Sequence, residues 1–239
     1  MSSEKYNSFI EKQDEIYNKF RVATENLGVT QGTERDPGVD PQGAFLVAWR
    51  FPDQLTASVE EFSLEVRDII NAIPYGRESA HTTVSDFGLA PNLVVNPAQK
   101  EEGEVLDTLA KSVKKALEIT SDQEIGACGV EFTENLHNGK TMIAAGIPTE
   151  TVWQINQQVL AQSHELGIPL KGTWGGHMTT SRSLERHPTD SPQVNDLVKL
   201  MKDSSAFGQT KPVAIDVGYF RMSPDEGFTF HTYERFELG

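Results

Sequence analysis

The 239-residue chain carries 21 Lys+Arg against 35 Asp+Glu, a formal charge of −14, with 37% hydrophobic and 23% charged residues. That balance suits a globular protein long enough to bury a substantial core, as one large domain or two small lobes, and it opposes capture of long RNA or DNA by counterion release. No apolar run approaches the roughly 18–20 residues that span a bilayer, and "MSSEKYNSFIEK" lacks the basic start and apolar stretch of a secretory signal, so the expectation is a soluble, cytoplasmic protein that enters no membrane.

In chain order, Tyr6, Phe9, Ile10, Ile16, Tyr17 and Phe20 recur at three- and four-residue spacing and predict an amphipathic helix over 4–27. The stretch 28–43 is rich in Gly, Pro and Asp and reads as a linker, so the main fold is expected to begin near Ala44. A strand at 44–51, a helix over about 55–72 and a strand at "AHTTVSDF" follow. A helix over about 102–119 comes after the loop "APNLVVNPAQ". Strands "IGACGVEF" and "TMIAAGIP" flank a hairpin signal at Asn138-Gly139. A helix at about 150–166, a strand around "GGHMTTSR", a helix near 191–203 and two strands joined across "SPDEG" complete the chain. The lone cysteine, Cys128, sits in an apolar run and reads as an inert core thiol that forms no internal disulfide.

The chain repeats itself. Residues 50–84, "RFPDQLTASVEEFSLEVRDIINAIPYGRESAHTTV", run parallel to 146–180, "GIPTETVWQINQQVLAQSHELGIPLKGTWGGHMTT": strand end, Pro, helix, Ile-Pro, polar loop, His-x-Thr. Pro52 falls on Pro148 and His81 on His177, both at an offset of 96. The pattern alone is weak, because "HPT" at 187–189 also satisfies it; that copy precedes loop chemistry and has no counterpart in the other half. His81 and His177 are selected by the repeat, independently of their chemistry.

Alternate residues of a strand share a face, so His81 with Thr83 and His177 with Thr179 each set an imidazole beside a hydroxyl. Two such pairs facing one another about a pseudo-twofold axis surround an anion-sized site. One neutral His then takes a proton from the attacking hydroxyl, the other gives one to the leaving oxygen, and the hydroxyls hold phosphate oxygens. No His-Glu-x-x-His, cysteine cluster or acidic run offers a metal site, so neither a metal nor a cofactor is expected. His137, His164 and His231 lack any motif and read as surface or packing residues.

With "HTTVSDFG" and "HMTTSR", the sequence resembles the two-histidine (2H) phosphoesterases, which include the RNA 2′,3′-cyclic phosphodiesterases also described as 2′-5′ RNA ligases. The resemblance spans about 44–237. Thr180 departs from it, standing where the second motif usually carries an apolar residue. It implies an α/β (α+β) fold, a two-lobed pseudo-twofold repeat in which each lobe is a mainly antiparallel sheet with helices packed outside and a cleft between. The lobes are expected at about 44–138 and 139–239, with 1–43 as an N-terminal helical extension and linker. The implied reaction is attack of water on a 2′,3′-cyclic phosphate to leave a 2′-phosphate, with His81, His177, Thr83 and Thr179 as catalytic residues. Arg182 stands where many members carry arginine and either pairs with a phosphate or makes a surface salt bridge. Trp174 and Tyr219 either stack a base and line the cleft or pack the core. The expected substrate is a short or cyclic nucleotide; a monomer is compatible with these features. The alternatives are a nucleotide-binding regulatory module without turnover and a phosphodiesterase for ADP-ribose cyclic phosphate.

Overall fold

A computed structural model of the chain describes residues 3–86, 90–91, 95–120 and 128–238. Phe87 and Gly88, which trail the first motif, and the start of the strand expected at 125–132 lie outside the described residues. Helices are α1 (Glu4–Asn26), α2 (Asp53–Ile69), α3 (Lys100–Ile119), α4 (Glu150–Glu165) and α5 (Pro192–Asp203). Strands are β1 (Gln42–Arg50), β2 (Ala72–Pro74), β3 (Thr82–Asp86), β4 (Ala90–Pro91), β5 (Val130–His137), β6 (Thr141–Pro148), β7 (Lys171–Gly172), β8 (Met178–Ser183), β9 (Gly208–Thr210), β10 (Ala214–Ser223) and β11 (Gly227–Glu237). Among the described residues no helix is long and apolar enough to cross a membrane.

Local chemistry sets the boundaries. The Ser3 and Ser191 hydroxyls accept from the Tyr6 and Val194 amides and cap α1 and α5, and α5 opens with Pro192, whose missing N–H costs nothing there. The β5–β6 turn forms where Asn138-Gly139 predicts it: Gly139 adopts φ 87°, and Asn138 Oδ1 accepts from the Lys140 and Thr141 amides at 3.0 and 2.8 Å.

The strands form one antiparallel sheet in the order β11-β10-β1-β3-β8-β6-β5-β9. At its centre β3 meets β8 through the pair Thr82↔Met178, two residues 96 apart and therefore equivalents in the repeat. The pseudo-twofold axis passes between them. On either side of it, β2 pairs with β8 and β7 pairs with β3, so each short strand crosses to the motif strand of the other half.

The halves of the sheet are not 44–138 and 139–239. β5 is hairpin-bonded to β6, and β10 lies on β1, so one half comprises β11, β10, β1 and β3 and the other β8, β6, β5 and β9. A tight turn at 138–140 keeps its two strands side by side, and a lobe boundary cannot fall within it. The first unit therefore delivers β5, and the second β10 and β11, to the opposite half.

One face of the sheet carries the main core, where Phe45, Val47 and Trp49 of β1 meet Leu106, Leu109 and Val113 of α3 and Val152, Ile155 and Val159 of α4. Trp49 is fully buried and its indole N–H donates to Asn156 Oδ1 at 2.8 Å, which ties β1 to α4. Cys128 is buried in this core, where desolvation pushes its thiol up to about 11 and leaves it inert. A second core lies beneath α2 and α5. Helix α1 packs on β5 and β6, burying Tyr17 with Leu136, Ile143 and Ala145.

Candidate active site

His81 and His177 immediately precede β3 and β8, and both strands bulge at the same repeat position. Against β1, Val47 pairs with Ser85 and Ala48 with Thr83, which leaves Val84 as an extra residue on β3. Against β6, Met142 pairs with Ser181 and Ile143 with Thr179, which leaves Thr180 extra on β8. Val84 and Thr180 are again 96 apart. An inserted residue shifts the face on which later side chains fall. Arg182, five residues past His177 and otherwise on the opposite face, thereby comes to the same side as His177 and Thr179.

The result is a cavity of about 310 Å³ lined by His81, Thr83, His177, Thr179, Arg182 and Trp174. Tyr219 is not among its lining residues. The pleat of β10 turns Tyr219 with Ile215 and Val217 toward the helix-covered core, where its ring stacks on exposed His231 at 4.8 Å, and it is the alternate residues Phe220 and Met222 that reach the cavity. His137 is fully buried and accepts from the Gly139 amide through Nδ1, and His164 bonds the Leu170 carbonyl, so both are packing residues.

The two imidazoles sit in unlike surroundings. His81 is buried, its Nδ1 lies 2.7 Å from the Ser79 carbonyl and so carries the proton, and Nε2 is the nitrogen left for chemistry. Its ring lies 5.5 Å from Phe228 in a stacked arrangement. Burial, with Arg50 and Arg182 adding to it, lowers its pKa to about 4 against the pull of the Ser79 carbonyl. The His177 ring stacks on Trp174 at 4.0 Å and 14°. Burial, then His81 and Arg182, lowers it to about 3. The Gly175 carbonyl is near enough to favour the charged ring, yet His177 Nδ1 makes no well-formed hydrogen bond.

Arg182 is anchored rather than a surface salt bridge. Nε donates to Tyr75 Oη at 3.1 Å and Nη1 to Asp36 Oδ2 at 2.7 Å, and its guanidinium is held charged despite burial by Tyr75 and Asp36. Asp36 also accepts from the Thr141 hydroxyl at 2.6 Å and the Gly38 amide at 2.8 Å. Burial alone would raise its carboxyl; Arg182, Thr141 and Gly38 together take it below the usual value. The segment read as a linker is therefore part of the site, because Asp36 orients Arg182 while Gly38 and Gln42 line the cavity. Facing the polar groups is an apolar wall of Leu46, Tyr75, Phe220, Met222 and Phe228, in which Phe228 stacks on Tyr75 at 4.4 Å. Among the described residues no cluster of three or more His, Cys, Asp or Glu offers a metal site.

No family model matches the sequence, and no curated protein matches it. Among solved structures the chain is similar to TT0787 of Thermus thermophilus, with 18% identity, a TM-score of 0.51 and coverage of 82% of this chain and 97% of that one. It is also similar to E. coli LigT complexed with phosphate, at 12% identity and a TM-score of 0.43, covering 83% of this chain and 98% of that chain. A third match is E. coli LigT complexed with 3′-AMP, with the same identity, TM-score and coverage. The likeness to TT0787 speaks for the fold alone: a mixed α/β chain with one large antiparallel sheet.

Proposed function

We propose that the chain is a metal-independent phosphodiesterase that hydrolyses a 2′,3′-cyclic phosphate or a short 2′-5′-linked or cyclic nucleotide by two-histidine acid–base catalysis. The observation that carries this reading is the convergence of His81, Thr83, His177, Thr179 and Arg182 on one cavity about the pseudo-twofold axis. Water attacks phosphorus as a neutral imidazole takes its proton. The bond to the leaving oxygen breaks as the other, protonated, imidazole protonates that oxygen. Thr83 and Thr179 donate to the nonbridging oxygens, and Arg182, preset by Asp36, balances the charge that develops there. About 310 Å³ is at the small end of ligand sites and suits one nucleotide-sized group. The aromatic wall supplies a face for a base, and the charge of −14 disfavours a long polyanion.

Incubation with 2′,3′-cyclic nucleotides, 2′-5′ oligonucleotides and cyclic dinucleotides in EDTA, read by mass spectrometry, is expected to show turnover of at least one class. Turnover in the His81→Ala/His177→Ala double variant at the wild-type rate would sink the reading. One observation favours a second reading, a nucleotide-binding module: with values near 4 and 3, neither imidazole is charged at neutral pH until an anion sits beside it. Saturable nucleotide binding with no turnover across the panel is the outcome that selects the module.

A further inference from the structure

We infer that helix α1 is a positioning element of the candidate site: Gln13, Tyr17 and Phe20 fix the turn at 173–176 and hold the Trp174 indole flat on His177, which sets that ring's orientation. The restraint itself is visible in the packing; that the ring is a catalytic acid or base rests on the function proposed above.

Gln13 is 1% exposed, deep under α1, and its Oε1 accepts from the Gly176 amide at 2.7 Å, one residue before His177. One helical turn on, Tyr17 Oη donates to the Gly146 carbonyl at 2.9 Å and accepts from the Gly146 amide at 3.0 Å. Gly146 and Gly176 touch one another, since a Cβ on Gly146 would lie 2.1 Å from the Gly176 carbonyl oxygen. The helix thus grips both sides of a backbone contact that only glycine permits. Trp174 is then enclosed, with Tyr17 edge-on at 5.6 Å and 76°, Phe20 stacked at 6.3 Å and 22°, and His177 stacked at 4.0 Å and 14°.

The asymmetry between the two halves gives this arrangement its purpose. His81 is oriented by a hydrogen bond from Nδ1 to the Ser79 carbonyl. His177 faces the equivalent carbonyl, that of Gly175, but among the described residues its Nδ1 makes no well-formed hydrogen bond. What fixes the second imidazole is its stack on Trp174, and what fixes Trp174 is α1. The segment outside the repeat therefore adds at His177, where the carbonyl is poorly aligned, an orienting contact that His81 obtains from the Ser79 carbonyl.

The test uses the full chain with Gln13→Ala, Phe20→Ala and the ring-conserving Phe20→Tyr, each followed by the C–H resonances of its histidines between pH 8 and 5 without substrate. In the wild type and in Phe20→Tyr, the His177 signal is expected to stay at its neutral position over that range. In Gln13→Ala and Phe20→Ala it is expected to begin to titrate, as loss of the Trp174 stack uncovers the ring further, while His81 and His137 stay put. On whichever substrate the wild type turns over, kcat in these two variants should fall about tenfold with KM nearly unchanged, the pattern of lost alignment. A folded variant whose His177 signal stays fixed overturns the inference, and so does a common shift of all three histidines, which would mean general loosening. Phe20 is only partly buried, so its variant serves if Gln13→Ala does not fold. Because the titration needs no substrate, absence of turnover in the wild type counts against the proposed function and leaves this inference to be decided by the titration.

Discussion

His81, His177 and their threonines come from matched positions of two repeat units, and removal of any one should be felt through its own job. His81→Ala or His177→Ala should lower kcat about 10³-fold, the usual share of a general acid or base, while Thr83→Val and Thr179→Val should cost about 10²-fold through lost hydrogen bonds to phosphate oxygens; initial rates on the substrate found by the panel check both. Thr180 gives the opposite expectation. It is fully buried, its hydroxyl has no hydrogen-bond partner among the described residues, and Val84 stands at the same bulge in the other half. Thr180→Val should therefore raise stability by about 1 kcal/mol with turnover unchanged, as judged by urea unfolding, because it removes an unsatisfied polar group at nearly constant shape. The motif residues were legible in the sequence because the repeat singled them out. Asp36 was not, since Asp-Pro-Gly is ordinary turn chemistry and nothing in it shows that the turn closes on an arginine 146 residues later. Tyr219 was left between cleft and core because alternation along a strand separates two faces without saying which one meets the cavity; it packs on the core.

At the scale of elements, the long helices and strands were legible from periodicity and most ends moved by three residues or fewer, but β5 runs on to His137, five residues past the end expected at 132, because the strand continues up to the Asn138-Gly139 turn. β2, β4, β7 and β9 were not, because two or three residues carry no period; β2 and β7 exist only as pairings across the axis. The exchange of β5 and β10 between halves was partly legible after all, since a hairpin signal at Asn138-Gly139 and a lobe boundary at 138 are incompatible. Close approach of elements is equally hidden in sequence. "GTWGGH" reads as a polar loop, yet Gly176 lies against Gly146 of β6 so tightly that a methyl group on Gly146 has no room. Gly146→Ala should lower unfolding free energy by about 3 kcal/mol or prevent folding, the range of severe overpacking, and a loss below about 0.5 kcal/mol in urea titration would show the contact to be looser than drawn.

For the molecule as a whole, the acid side of neutrality should be the sensitive one. His81 and His137 are lowered to about 4, and His177 to about 3, from 6.5 in the unfolded chain. Above pH 6.5 folded and unfolded rings are alike neutral and the contribution to stability is complete. As the pH falls below 6.5 the unfolded chain takes up protons first, so stability drops until the folded rings themselves titrate near pH 4. At 1.36 kcal/mol per pKa unit the loss reaches on the order of 3 kcal/mol for each of the buried His81 and His137, a large part of a typical domain's 5–15 kcal/mol. Asp36 acts in a separate window, since its carboxyl is lowered from 3.8 and its contribution is lost only at more acidic pH. The urea midpoint should therefore fall steeply between pH 6.5 and 4.5 and stay level from 7 to 8. A phosphate held between His81 and His177 acts against burial by favouring both charged rings. Phosphate or nucleoside monophosphate binding should then take up protons and tighten as pH falls from 7.5 to 5.5, a change that calorimetry in buffers of different ionisation enthalpy resolves. Binding that releases no buffer-dependent heat and is level over this range would mean that the imidazoles do not face the anion, and the two-histidine mechanism would fall with it.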